Sequence, residues 1–287
     1  MNDTDNNRIY ISDLDGTLLR NDATLSSYTR QKLVELLDSG IHFTIASARS
    51  INSLRPMLEG IGFRLPIIEI NGAFITDFHT GRHLIVNKID TAVVERIFSC
   101  ITEHGLLPFV STFNGDEDCL YFQDIINGAM QWYHDDRKAN GDSRLRHVDD
   151  ITVAFNDNVI SFNVMGGRQQ VEHLAGQLDR ELGDRLENFF FENPYSPGGW
   201  WLTIHDIKAC KSIAIRELVD LAGFRMDDLT VFGDNLNDVK MFRTAARAVA
   251  VANATDEIKQ YAHHVIGSNE DDSVVKFILQ ESNLPLK

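Results

Sequence analysis

Cysteine is scarce in this chain: Cys100, Cys119 and Cys210 are the only three in 287 residues, odd in number and far apart. They form no CxxC pair and no zinc-type spacing, which excludes a disulfide-stapled scaffold. A reducing compartment, and hence the cytoplasm, is expected. Apolar runs are also short, none approaching the ~20 residues a membrane helix needs. The opening "MNDTDNNR" is polar and acidic, unlike a secretory leader. Basic residues are outnumbered, 27 Lys and Arg against 42 Asp and Glu, for a formal net charge of −15. Sequence-independent nucleic-acid binding depends on clustered Lys and Arg, so neither nucleic acid nor membrane is an expected partner. Solubility accounts for the acidity. No internal repeat or low-complexity segment appears, and nothing in the pattern sets an oligomeric state.

What is present reads as a folded α/β protein. Hydrophobic residues make up 43% and charged residues 24%, and the length suits one large domain or two ordinary ones. Strand and helix signals alternate over the first ninety residues. A strand at 8–12 precedes a helix from Ser27 carrying Leu33, Val34, Leu36 and Leu37 and closed by Gly40. "IHFTIAS" (41–47) reads as a strand, 51–60 as a helix and "PIIEI" (66–70) as a buried strand. "NG" (71–72) reads as a turn, with "AFIT" and "HLIVN" as a hairpin. The last ninety residues return to this alternation, with strands "WWLTIH", "LTVF", "AVAVA" and "HVIG" and helices at 211–223, 237–246, 255–262 and 271–281. This cadence predicts a Rossmann-like parallel sheet covered by helices.

The middle differs, with twice as many acidic as basic residues over 88–188. A helix with Val93, Val94, Ile97 and Phe98 leads into strands "LLPFV" and "CLYFQ", a polar stretch "HDDRKANGD", strand "VISFNVMG", a helix at 169–182 and strand "LENFFFE". An α+β domain inserted at 88–188 into a core made of 1–87 and 189–287 is therefore expected. Gly198-Gly199 is a candidate hinge between the two. Trp200 and Trp201 read as packing residues, and the ten scattered histidines, His134 among them, as polar side chains facing solvent.

Chemistry in open parallel sheets is expected at the carboxyl ends of strands, and four signals lie there. Asp13 and Asp15 follow the first strand in "DLDGTL". Side chains two apart on an extended chain share a face, so the two acids repel unless a positive charge lies near. Gly16 permits a tight departure, and Thr17 can bond the neighbouring carboxylate or cap the following turn. Ser47, in "FTIASARS", could donate to a phosphate oxygen or equally serve as a helix N-cap. Lys211 begins an amphipathic helix against the helix dipole, with Lys208 as its competitor. "VFGDNLNDVKMF" clusters Asp234, Asn237 and Asp238 after a strand. Such oxygen ligands suit Mg2+, though Asp and Asn also serve turns.

In order and context these four motifs resemble the haloacid dehalogenase-like (HAD) hydrolase superfamily. "DLDGTLL", "EINGAFI", "VFGDNLNDVKMF" and "VANATDEIKQYAHHV" are similar to its Cof-like phosphatases, which carry a large α/β cap where the inserted segment lies. The resemblance runs from about residue 8 to 280. It implies that Asp13 is the nucleophile and Asp15 the general acid and base, and that Asp13, the Asp15 backbone carbonyl, Asp234 and Asp238 hold Mg2+, Asp238 directly or from behind. Ser47, Lys211 and Asn237 would bind the phosphate, with Arg49, Asn71 and Gly72 near the substrate. The cap would close over a small phosphorylated metabolite, a sugar phosphate foremost, and choose the leaving group. Ser47-Ala48-Arg49 stands where relatives often have Thr-Gly-Arg, and Lys211-Ser212 where they have Lys-Gly. A mutase-like transfer, a non-turnover phosphate binder and a receiver-type phosphoacceptor domain are the rival readings.

Overall fold

The computed structural model describes residues 8–193 and 197–282, so the polar opening lies, but for Arg8, outside the described residues. The chain divides into two compact units, Met1–Val86 with Cys210–Lys287, and Asn87–Ala209. The first unit begins with β1 (Ile9–Ser12), α1 (Ser27–Asp38), β2 (His42–Ile45), α2 (Ile51–Leu58), β3 (Ile67–Glu69), β4 (Phe74–Thr76) and β5 (His83–Val86). The second holds α3 (Thr91–Glu103), β6 (Pro108–Phe113), β7 (Asp118–Phe122), α4 (Gly128–Ala139), β8 (Leu145–His147), β9 (Asn158–Gly166), α5 (Arg168–Leu182), β10 (Leu186–Glu192) and β11 (Trp200–Asp206). The first unit then resumes with α6 (Lys211–Leu221), β12 (Leu229–Gly233), α7 (Val239–Thr244), β13 (Arg247–Ala250), α8 (Asp256–Lys259), β14 (His264–Val265) and α9 (Ser273–Glu281).

The first unit is built on a five-stranded parallel sheet of order β14-β13-β12-β1-β2. All four residues of β1 are buried, the continuous burial of a central strand with both faces covered. Helix α1 starts where the Ser26 side chain accepts from the Thr29 amide at 2.9 Å, and Leu33, Leu36 and Leu37 face the core. Each such leucine contributes ~1.5–3 kcal/mol of burial. The helix stops at Ser39, and Gly40 at φ 93° turns the chain into β2. β2 and β12 flank β1 and the chain winds outward from it on both sides, so the carboxyl ends of β1 and β12 form the topological switch point. β3, β4 and β5 form a separate antiparallel sheet.

The second unit is a six-stranded sheet of order β10-β11-β9-β6-β7-β8, antiparallel except for β7 with β8. Val93, Ile97 and Ile101 of α3 and Val171, Leu174 and Leu178 of α5 bury Val110, Phe162, Val164, Leu202 and Ile204. Met130 and Tyr133 of α4 cover Phe109, Leu120, Met165 and Trp201.

Two expectations need correction. The insertion ends near 209 rather than 188, because β10 and β11 pair with each other and with β9. "WWLTIHD" is so apolar that it imitates a buried parallel strand, but Leu202 and Ile204 face α3 and α5 while Trp201 faces α4. Gly198-Gly199 consequently lies within the second unit, between β10 and β11, and not at its boundary. The polar stretch from His134 is largely the solvent side of α4. That helix buries only Ala129, Met130 and Tyr133 and is opened by the Asn127 side chain accepting from the Met130 amide at 2.9 Å.

Candidate active site

Asp13 and Asp234 each stand one residue beyond a strand end, on neighbouring strands held in register from Ile9 with Leu229 to Ser12 with Phe232. The Asp13 amide continues that ladder to the Phe232 carbonyl at 2.9 Å. The chain leaves β1 through Gly16 at φ 75°, where an added Cβ would lie 2.5 Å from Asp234 Oδ2. Glycine is required there both for its backbone angle and for the approach of the carboxylate. Thr17 Oγ1 donates to Asp234 Oδ1 at 3.0 Å, so the first motif is tied directly to the fourth. Asn253 adds a second tie by donating to the Gly16 carbonyl at 2.7 Å.

Lys211 opens α6 with its side chain only 2% exposed, and its ammonium donates to Asp13 Oδ1 and, at 2.7 Å, to Asp238 Oδ1. The rival Lys208 is exposed. Asp238 Oδ2 accepts from the amides of Asp234 and Asn235 at 3.1 and 3.3 Å. Both its oxygens are thus engaged in holding Lys211 and the 234–238 turn. Asn237 sits on the same single helical turn, partly exposed.

Three carboxylates share this region with one ammonium. Oxygens of Asp13, Asp234 and Asp238 lie within 4.8 Å of one another. Burial raises the Asp13 carboxyl well above its ordinary range, Lys211 opposes that rise, and Asp238 and Asp234 add to it. Asp234 is pushed up to about 6, by burial first and by Asp238 second. Burial pulls Lys211 down, but Asp13 and Asp238 outweigh it and hold the ammonium charged. The surplus of negative charge and the all-oxygen donor set fit a hard divalent cation such as Mg2+.

Ser47 follows β2 and is 1% exposed. Its amide donates to the Ile68 carbonyl and its carbonyl accepts from the Asn71 amide, both at 2.9 Å. Its Oγ accepts from the Arg49 amide at 3.1 Å, which leaves the hydroxyl proton for another acceptor. Arg49, expected near the substrate, grips Asp15 with two bonds of 2.8 and 2.6 Å. Asn71 is buried at φ 55°, and its Oδ1 has no hydrogen-bond partner among the described residues. At Gly72, φ 105°, an added Cβ would meet the Cys210 carbonyl oxygen at 2.8 Å, so this glycine lets the turn lie against the start of α6. The ties made by Thr17 and Asn253 to residues more than 200 positions away carry no sequence signal beyond their presence in quoted motifs.

Residues 10–278 match the haloacid dehalogenase-like hydrolase family. The chain belongs to that family, in its Cof-like branch. Among its relatives is the Bacillus subtilis (strain 168) 5-amino-6-(5-phospho-D-ribitylamino)uracil phosphatase YwtE, 27% identical over 93% of this chain and 96% of the relative. Another is the Escherichia coli (strain K12) pyridoxal phosphate phosphatase YbhA, 24% identical over 94% and 97%. A solved HAD-like hydrolase from Bacteroides thetaiotaomicron shares the fold with a TM-score of 0.77, 21% identity and coverage of 95% and 98%. An HAD subclass IIB sugar phosphatase does so with a TM-score of 0.74, 18% identity and coverage of 95% and 98%.

Proposed function

We propose that the protein is a Mg2+-dependent phosphatase that hydrolyses phosphate monoesters of small metabolites, sugar phosphates foremost, through an aspartyl-phosphate. The observation that carries this reading is the buried Asp13 carboxylate at the tip of β1, bonded to Lys211 and beside Asp234, with Asp15 two residues on. Asp13 attacks phosphorus, forming the O–P bond to its carboxylate as the ester O–P bond breaks. Asp15 gives its proton to the departing alkoxide and then takes one from the water that cleaves the aspartyl-phosphate, releasing inorganic phosphate. Ser47 and Lys211 hold phosphate oxygens, Lys211 also offsetting the charge of the nucleophile, and Asn237 borders them. Asp13, Asp234 and the Asp15 carbonyl would hold Mg2+, with Asp238 behind them fixing Lys211 and the turn. Bound there, the cation neutralises carboxylate and phosphate charge that would otherwise repel.

The free, buried cysteines fit a reducing compartment, and we place the protein in the cytoplasm. No helix among the described residues is long and apolar enough to cross a membrane. The test is release of inorganic phosphate from a panel of sugar phosphates, nucleotides, pyridoxal phosphate and 5-amino-6-(5-phospho-D-ribitylamino)uracil, with Mg2+ and with chelator. Turnover is expected only with Mg2+ and is abolished in Asp13→Asn. Activity that survives either change removes the mechanism.

A further inference from the structure

Glu69 is a charged residue inside the apolar run "PIIEI", and its side chain is completely buried. A carboxylate in such a place must spend its acceptors on specific donors. One oxygen of Glu69 accepts from the Ile51 amide, the first of α2, and the other from Thr76 Oγ1. His83 Nδ1 stands 2.7 Å from that same hydroxyl and 3.5 Å from the carboxylate.

The Ile51 contact replaces a missing cap. Ser50 is the N-cap residue of α2, yet its side chain makes no capping bond, so an amide left without an intrahelical partner is satisfied from β3. The four residues before Ile51 are the Ser47–Ser50 turn, and the rest of that turn is bonded to the same segment as Glu69. Ser47 is held by Ile68 and Asn71, and the Arg49 carbonyl accepts from the Ile70 amide at 3.1 Å. To make these bonds, Ile70 and Asn71 adopt φ of 48° and 55°. For a β-branched residue this is a strained conformation that surrounding bonds must hold in place.

We propose that Glu69 is a positioning residue for phosphate binding: by holding the first amide of α2 it fixes the turn that presents Ser47 and Arg49. The role rests on the reading of Ser47 as a phosphate ligand. It requires an acceptor at residue 69 and does not require the Thr76 hydroxyl.

Binding of inorganic phosphate to the full chain in excess Mg2+, measured by calorimetry, tests the two claims separately. Glu69→Ala is expected to weaken binding by about tenfold or more, since small displacements of positioning groups carry penalties of that order. Glu69→Gln, which keeps an acceptor for Ile51, is expected to restore most of the affinity. Thr76→Val is expected to lower the melting temperature while leaving phosphate affinity unchanged. Equal weakening in Thr76→Val, or none in Glu69→Ala, overturns the positioning role and leaves the phosphatase reading standing. A wild type that binds no phosphate overturns both. Should Glu69→Ala fail to fold, hydrogen exchange of the wild-type Ile51 amide decides: protection like that of a helix-interior amide is expected, and exchange as fast as an exposed amide refutes the proposal.

Discussion

Replacing Lys211 by methionine keeps most of the side-chain volume and deletes the only ammonium bonded to Asp13 and Asp238 among the described residues. Removing one partner of a buried charged pair costs ~3–5 kcal/mol. Coulomb repulsion falls in the same range, since two carboxylates ~4 Å apart repel by ~4 kcal/mol at an effective dielectric of 20. For a unit of this size the metal-free variant should melt about 10 °C below the wild type near neutral pH.

The pH dependence separates this cause from simple mispacking. Asp234, raised from an ordinary 3.8 to about 6, keeps a proton in the folded protein that the unfolded chain has already lost. The folded state is therefore favoured most below the lower value and loses up to ~3 kcal/mol as pH climbs through the upper one. Without Lys211 both Asp13 and Asp234 lose an attractive partner, so the decline steepens and reaches higher pH. The deficit of Lys211→Met should be smaller near pH ~4, where Asp234 keeps its proton, than near pH ~8. Thermal unfolding of both proteins in chelator across that interval measures it. A deficit of equal size at both ends, or a variant as stable as wild type in alkali, refutes the electrostatic account. With Mg2+ restored, kcat/KM for a phosphate ester should fall by ~10²–10³, as when a donor to a reacting oxygen is removed.

Gly16→Ala combines a φ of 75° with a Cβ 2.5 Å from Asp234 Oδ2; a loss of ~1–3 kcal/mol in urea unfolding is expected, together with reduced turnover. Arg49→Ala removes a pair with side chains 30% and 48% exposed, so its melting temperature should hold, whereas initial-rate kinetics should show kcat/KM falling ~10²-fold as Asp15 loses its anchor. Because Asp234 must release its proton to accept a cation, Mg2+ affinity by calorimetry should rise with pH through about 6. His205 in β11 is buried, its Nδ1 has no hydrogen-bond partner among the described residues, and burial lowers it to about 4. The unfolded chain takes up that proton first, so stability present above pH ~6.5 should drain by ~3 kcal/mol as pH falls toward 4, and His205→Phe should blunt the loss seen in acid-unfolding curves.

The parallel core could be read from the sequence because a central strand is buried on both faces and a helix between strands carries its own stop. "IYIS" and the leucines ahead of Gly40 state those facts locally. The limit of the second unit could not be read in the same way. Leu202 and Ile204 are as apolar as a parallel strand demands, and only their pairing with β9 and their contact with α3 and α5 assign them to an antiparallel sheet. α4 escaped notice for the opposite reason. A helix that buries three residues in twelve leaves a window dominated by its solvent side, so local composition reported the water and not the fold.

The site divides along the same line. Asp13, Ser47 and Asp234 lie at strand ends and Lys211 at a helix start, positions that follow from secondary structure once the elements are placed. The bonds that aim them do not. Thr17 meets Asp234, Asn253 meets the Gly16 carbonyl, and Arg49 closes on Asp15, each across a separation that no periodicity encodes. Glu69 is intermediate: a carboxylate inside an apolar run announces that something nearby must be satisfied, but not which amide. The place of such a site can therefore be read from residue types at strand ends, whereas its precision resides in buried polar partners whose only trace in sequence is a charge where none is needed for packing.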